Sequence, residues 1–244
     1  MEMNDVAMPE IVVTGFPKCG TTALMRTFED DPEVITLRAP SLTMEVPWPV
    51  IKEIRPATIA EGRVLAHKYT AYAYNKEALQ YLTAVNPDSI LVLCVRDPAR
   101  SLVSWHKMHR SIARSEKDTG HFAYLERDFY AECSIPDYYE RFAKRRLRYD
   151  LHFKNMLEIV PLSRLVVVSQ ERMAQGIGEV AAHLKAVARG STAPLAAAAG
   201  TEEVHQGYAD RVERTLPVAI RNEFKRTRKR LAEAVAESGV QSCL

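Results

Sequence analysis

"VVTGFPKCGTTALM" (residues 12–25) runs from a β-branched segment through a glycine-containing turn into a stretch opened by two threonines. That is the pattern of a strand delivered through a tight loop into a helix N-terminus. Gly15 and Gly20 stand at the G-x-x-x-x-G spacing of a phosphate-binding loop. The lysine that a nucleoside-triphosphate loop places after its second glycine is here Thr21, and the basic residue, Lys18, lies inside the loop. Backbone N–H groups and the helix dipole converge at such a loop and favour an anion there. The Thr21 and Thr22 hydroxyls add donors, and Lys18 leans over the distal group of a short anion chain. The glycine spacing alone also fits a plain strand-to-helix turn, so a second stretch must decide.

That stretch is "LVLCVRDPARSLVSWHKMHR" (91–110), an apolar run ending in Arg96, then Asp97 as N-cap and Pro98 at the first helical position. Leu102, Trp105, Met108 and Ile112 then fall on one helical face. Ligands of open α/β sheets bind beyond the carboxyl ends of the strands, so Arg96 reaches the same edge as the 15–20 loop. With Ser104, or Ser101 if the helix is rotated, its guanidinium makes a fork for a second phosphate.

Around these two stretches the chain alternates. Apolar runs at 10–16, 33–38, 63–69, 89–95 and 164–169 read as strands, and 20–30, 74–85, 98–113, 136–159, 171–187 and 216–237 read as helices. The expected fold is α/β, with three α/β/α layers around a central parallel sheet. With 244 residues and 47% apolar content, one domain over 1–244 is expected: a core over 10–175, a small-residue loop at 188–200 and a helical part over 201–244. The net charge of +2 selects no bulk partner. Basic runs "KRRLR" (144–148) and "KRTRKR" (225–230) read as solvated helix faces rather than a nucleic-acid surface. Cys19, Cys94, Cys133 and Cys243 have no metal-ligand or framework spacing. The polar N-terminus and the lack of an 18-residue apolar run point away from a membrane and towards the cytoplasm.

The two stretches together resemble the sulfotransferases that use 3′-phosphoadenosine 5′-phosphosulfate (PAPS). "FPKCGTT" (16–22) is similar to their 5′-phosphosulfate loop, and "VRDPARSLVSWH" (95–106) to their 3′-phosphate motif, including the eight-residue step from Arg96 to Ser104. "AHKYTAYAY" (66–74) is similar to their Glu-Lys-x-Pro-x-Tyr segment, and 147–173 to the helix, strand and acidic turn that follow, so the resemblance covers about residues 10–175. It implies the P-loop sulfotransferase fold and transfer of a sulfuryl group from PAPS to a hydroxyl or amine of a small molecule, such as a specialised metabolite. The products would include adenosine 3′,5′-bisphosphate, and no metal is needed. It implies Lys18 at the bridging and leaving oxygens, Cys19, Gly20, Thr21 and Thr22 around the 5′-phosphate, Arg96 and Ser104 at the 3′-phosphate, and Lys68 at the transferring sulfate.

The general base departs from the family pattern, since Pro40 and Thr70 stand where relatives carry glutamate or histidine. Glu45 is the preferred substitute because Pro47 and Trp48 would partly desolvate it. His67 is second, since strand alternation points it opposite Lys68, and His106 is third. Trp48, Tyr69, Tyr72, Tyr74, Trp105 and Phe122 supply aromatic surface, most of it core or rim. Residues 107–122 read as an acceptor lid or a solvated connection, and Arg211 is a candidate further contact to the 3′-phosphate. The alternatives are an ATP-dependent P-loop phosphotransferase and a non-catalytic nucleotide-binding protein that has lost its base. Oligomeric state, monomer or homodimer, is left open.

Overall fold

The computed structural model describes residues 9–37, 62–115, 126–193 and 216–243. Six strands form one sheet: β1 (Ile11–Gly15), β2 (Val34–Leu37), β3 (Val64–Lys68), β4 (Ile90–Val95), β5 (Leu165–Ser169) and β6 (Gln241–Cys243). Their order is β2-β3-β1-β4-β5-β6, and every neighbouring pair is parallel. Every residue of β1, β4 and β5 is buried, which is why these strands read as continuous apolar runs rather than alternating ones.

The helices cover both faces. α1 (Thr21–Glu29) and α7 (Gln170–Ala188) pack on one side. On the other lie α2 (Lys76–Val85), α6 (Tyr149–Ile159) and α8 (Val218–Ser238), with α3 (Pro98–Arg114) against α8 and the short α4 (Arg127–Glu132) and α5 (Ile135–Tyr138) against α3. Three helix starts carry the caps their sequences advertise. Asn75 Oδ1 accepts from the Ala78 N–H, Asp97 Oδ1 from Arg100 and Ser169 Oγ from Arg172, at 2.9–3.1 Å. This is the expected three-layer architecture with a parallel sheet.

Two elements differ from the sequence reading. The single helix expected over 136–159 is α5, a π-helical turn at Tyr139–Ala143, an irregular stretch, and then α6. Adjacent Tyr138 and Tyr139 are both fully buried but face different partners: Tyr138 meets Trp105 and His109, while Tyr139 meets Phe224. The π-helical turn at Tyr139–Ala143 takes one more residue into its turn than an α-helix does, so it shifts the phase of the side chains that follow α5. The C-terminal part, expected to be helical, also supplies β6, which covers the β5 edge.

The topology places the site. From β1 the chain travels towards β2, whereas from β4 it travels towards β5, so the loops leaving these adjacent strands diverge. A crevice opens between them at the carboxyl edge of the sheet, the switch point where α/β folds bind ligands.

Candidate active site

The loop after β1 is shaped by two glycines in backbone conformations that side-chain-bearing residues rarely adopt. At Gly15, with φ 155°, a Cβ would stand 2.5 Å from the Cys94 carbonyl oxygen on β4. At Gly20, with φ 88°, it would stand 2.9 Å from Met173 Cε. Between them the Phe16 N–H donates to the Cys94 carbonyl and the Cys19 N–H to the Phe16 carbonyl, both at 3.3 Å. Lys18 adopts a left-handed φ of 66°, a conformation that costs a side-chain-bearing residue about 1 kcal/mol. Gly20 is the N-cap of α1 and offers no side-chain cap, so the first N–H groups of the helix are left for a ligand. The Cys19 N–H, expected among the phosphate donors, is turned inward.

The loop is anchored from beneath. The Phe16 ring stacks on Tyr149, with centroids 3.7 Å apart. The buried Cys19 thiol lies 3.7 Å from Ser101 Oγ and 3.8 Å from the Tyr149 hydroxyl. Burial pushes that thiol up to about 12, so it stays protonated. Ser101, fully buried, is committed to this cluster, and the half-buried Ser104 is the α3 hydroxyl left near the surface. No spacing rule in the sequence links Tyr149 to residue 19.

Three cations gather around the loop. The exposed Lys18 rests its Nζ 3.7 Å from Met108 Sδ on α3. Lys68, at the end of β3, donates from Nζ to Thr22 Oγ1 at 3.1 Å. Burial lowers its ammonium pKa. Arg96 donates from Nη1 to the Lys18 carbonyl at 3.1 Å, while its buried Nε finds no hydrogen-bond acceptor among the described residues. None of the three forms an ion pair with a described residue. Several cations elsewhere are matched: Arg100 to Glu171, Arg172 to Glu179, Arg228 to Asp97 and Lys185 to Asp31. In the crevice three cations stand together with no carboxylate partner among the described residues.

The remaining candidates divide. Thr21 is buried and Thr22 exposed, so only the second hydroxyl is open. His67 is buried on the strand face opposite Lys68, near the Leu37 backbone, and burial pushes its imidazole down to about 4. His106 is buried with Nε2 2.9 Å from the Cys133 carbonyl. Tyr69, Tyr72 and Trp105 are core residues, and Tyr74 is half-buried beside His152. The 107–122 stretch begins as the last turns of α3, which runs to Arg114. Glu45, Trp48, Phe122 and Arg211 lie outside the described residues. Sequence reasoning did not place Met108 beside Lys18, although Met108 stands one helical turn after Ser104.

Comparison with known proteins bears on the family and the fold. A family model described as a sulfotransferase domain matches residues 8–187. The crystal structure of a sulfotransferase from Alicyclobacillus acidocaldarius superposes with a TM-score of 0.64 at 16% identity, over 95% of this chain and 97% of that one. A search of curated proteins finds no significant match. With the domain match spanning most of its length, the chain belongs to the sulfotransferase family.

Proposed function

We propose that this sulfotransferase takes its sulfuryl group from PAPS and passes it to a hydroxyl or amine of a small molecule, within a single domain. The observation that carries the reading is the convergence of Lys18, Lys68 and Arg96, none with an ion-pair partner among the described residues, on an α1 N-terminus with no side-chain cap. The buried Arg96 Nε without an acceptor supports the fit, because a phosphate oxygen is the acceptor it lacks.

PAPS supplies an activated sulfuryl group on a phosphate that leaves as adenosine 3′,5′-bisphosphate. The chain's part is positioning and preorganised charge. The N–H groups of Gly20, Thr21 and Thr22 and the Thr22 hydroxyl hold the 5′-phosphate. Arg96 and Ser104 hold the 3′-phosphate. Lys18 is held over the loop by its left-handed backbone, so its ammonium meets charge growing on the leaving oxygen. Lys68, steadied by Thr22, meets the transferring group from the β3 side. This scheme uses no divalent cation, so chelation leaves the rate unchanged. We assign no role to His67, whose burial keeps it from the crevice, or to His106, which is bonded to Cys133. Glu45 stays the proposed base on its sequence context alone.

Incubation of the protein with PAPS and a panel of phenols, alcohols and amines tests the reading, with mass spectrometry to detect gain of one sulfuryl group. Turnover on at least one acceptor supports it. Tight binding of adenosine 3′,5′-bisphosphate with no turnover across the panel favours a non-catalytic binding protein instead.

A further inference from the structure

The two basic runs that the sulfotransfer chemistry leaves aside, 144–148 and 225–230, meet in space. On α8, Glu223, Arg226, Thr227 and Arg230 follow one another at i, i+3, i+4 and i+7 and so share a face. α6 packs against α8, and Arg148, the N-cap of α6, joins those four residues around an open depression of about 250 Å³. Asp150 stands in the first turn of α6 and offsets the partial positive charge of that N-terminus, so the positive charge of the site comes from its guanidiniums.

The depression is organised from below by Asp150, whose side chain is 3% exposed. Its carboxylate accepts two bonds from Arg148, Nε to Oδ1 and Nη2 to Oδ2, each at 3.2 Å. Arg230 Nη1 stands 3.5 Å from Oδ2 of the same carboxylate. One buried acid thus holds two guanidiniums side by side against their repulsion. Glu223 is engaged by the Tyr139 hydroxyl. Arg226 is exposed and forms no ion pair with a described residue. Arg148, Arg226 and Arg230 against Asp150 and Glu223 leave one positive charge in excess.

We propose that this depression is a second anion site, separate from the donor crevice, for a tetrahedral oxyanion: a phosphate or sulfate, free or as the ester of a small molecule. Guanidinium forks match such oxygens in pairs. The lining holds no aromatic ring for a base to stack on, so the charged group rather than a nucleoside is recognised. The site lies close behind the donor loop. Tyr149, next to Arg148, carries Phe16, and Arg228 of α8 pairs with Asp97 at the start of α3.

Calorimetric titration of the full chain, saturated with adenosine 3′,5′-bisphosphate, tests this with inorganic phosphate and 4-nitrophenyl sulfate as probes. One saturable site is expected for each probe, weakened roughly tenfold by Arg226→Ala and by Arg230→Ala. Both changes are at exposed positions, and an unaltered thermal melt verifies that the fold is kept. Arg96→Ala should leave this binding unchanged. Tighter binding of the ester identifies an esterified ligand, and equal binding identifies the free ion. The proposal is overturned if neither probe binds the nucleotide-saturated protein, if the α8 variants bind as well as the parent, or if Arg96→Ala abolishes the binding. The site does not depend on the donor being PAPS, so the same titration without nucleotide should show the same loss of binding in the α8 variants.

Discussion

Lys18 illustrates what a single residue carries that its neighbours in sequence do not announce. Its place inside the loop is plain from "FPKCGTT", but its left-handed backbone and its rest against Met108 are not. Both follow from a turn closed by the Phe16 and Cys19 N–H groups and pinned beneath by Tyr149. Lys18→Ala keeps the same backbone demand and loses only the charge. It should therefore abolish sulfuryl transfer while adenosine 3′,5′-bisphosphate still raises the melting temperature. Gly20→Ala should behave the other way. Left-handed geometry and contact with Met173 should cost about 1–2 kcal/mol in a denaturant titration, and nucleotide affinity should fall as the loop shifts. A Gly20→Ala protein with parental stability would mean that the backbone there is not held left-handed.

At the scale of elements, capping and periodicity were the legible signals. Asp97-Pro98 marked the start of α3, and the apolar runs marked five of the six strands within a residue or so of their ends. The reading failed where tertiary partners overrule local pattern. The long helix is interrupted by a π-helical turn and an irregular stretch where Tyr138 and Tyr139 meet separate aromatic neighbours, and β6 is a short strand defined by pairing with β5. Local context alone favours Glu45 over His67 as the base, and it is burial on the opposite strand face that separates His67 from the crevice. Asp97 now has two roles, accepting the Arg100 N–H and pairing with Arg228. Asp97→Ala should cost about 1–2 kcal/mol, most of it the cap, in urea unfolding. Arg228→Ala, which removes the ion pair to Asp97 and leaves the cap in place, should cost well under that, and equal losses would assign the work to the pair instead.

The whole molecule joins stability and site through one sheet. Strand order puts the loops of β1 and β4 side by side, so charges 78 residues apart in sequence, on Lys18 and Arg96, come to share a crevice. The same sheet buries His67, and the aromatic cluster beside α3 buries His109. Desolvation pushes each down to about 4 from an ordinary 6.5. Between these values the unfolded chain binds more protons than the folded one, so stability rises with pH there and is lost as pH falls from about 6.5 towards 4. Melting curves should show a lower midpoint at pH 5 than at pH 7. His67→Gln should flatten that dependence even if it lowers stability at neutral pH, and an unchanged slope would remove His67 from the account. The central claim is that the β1 loop and Arg96 grip one adenosine bisphosphate. Its most direct test is calorimetric titration of adenosine 3′,5′-bisphosphate, with chelator present, into the parent and Arg96→Ala proteins. The account predicts metal-independent binding at one site, weakened on the order of a hundredfold by Arg96→Ala through loss of roughly 2–3 kcal/mol of charged hydrogen bonding. Equal affinity in the two proteins, or binding of ATP with Mg²⁺ in place of the bisphosphate, would contradict it.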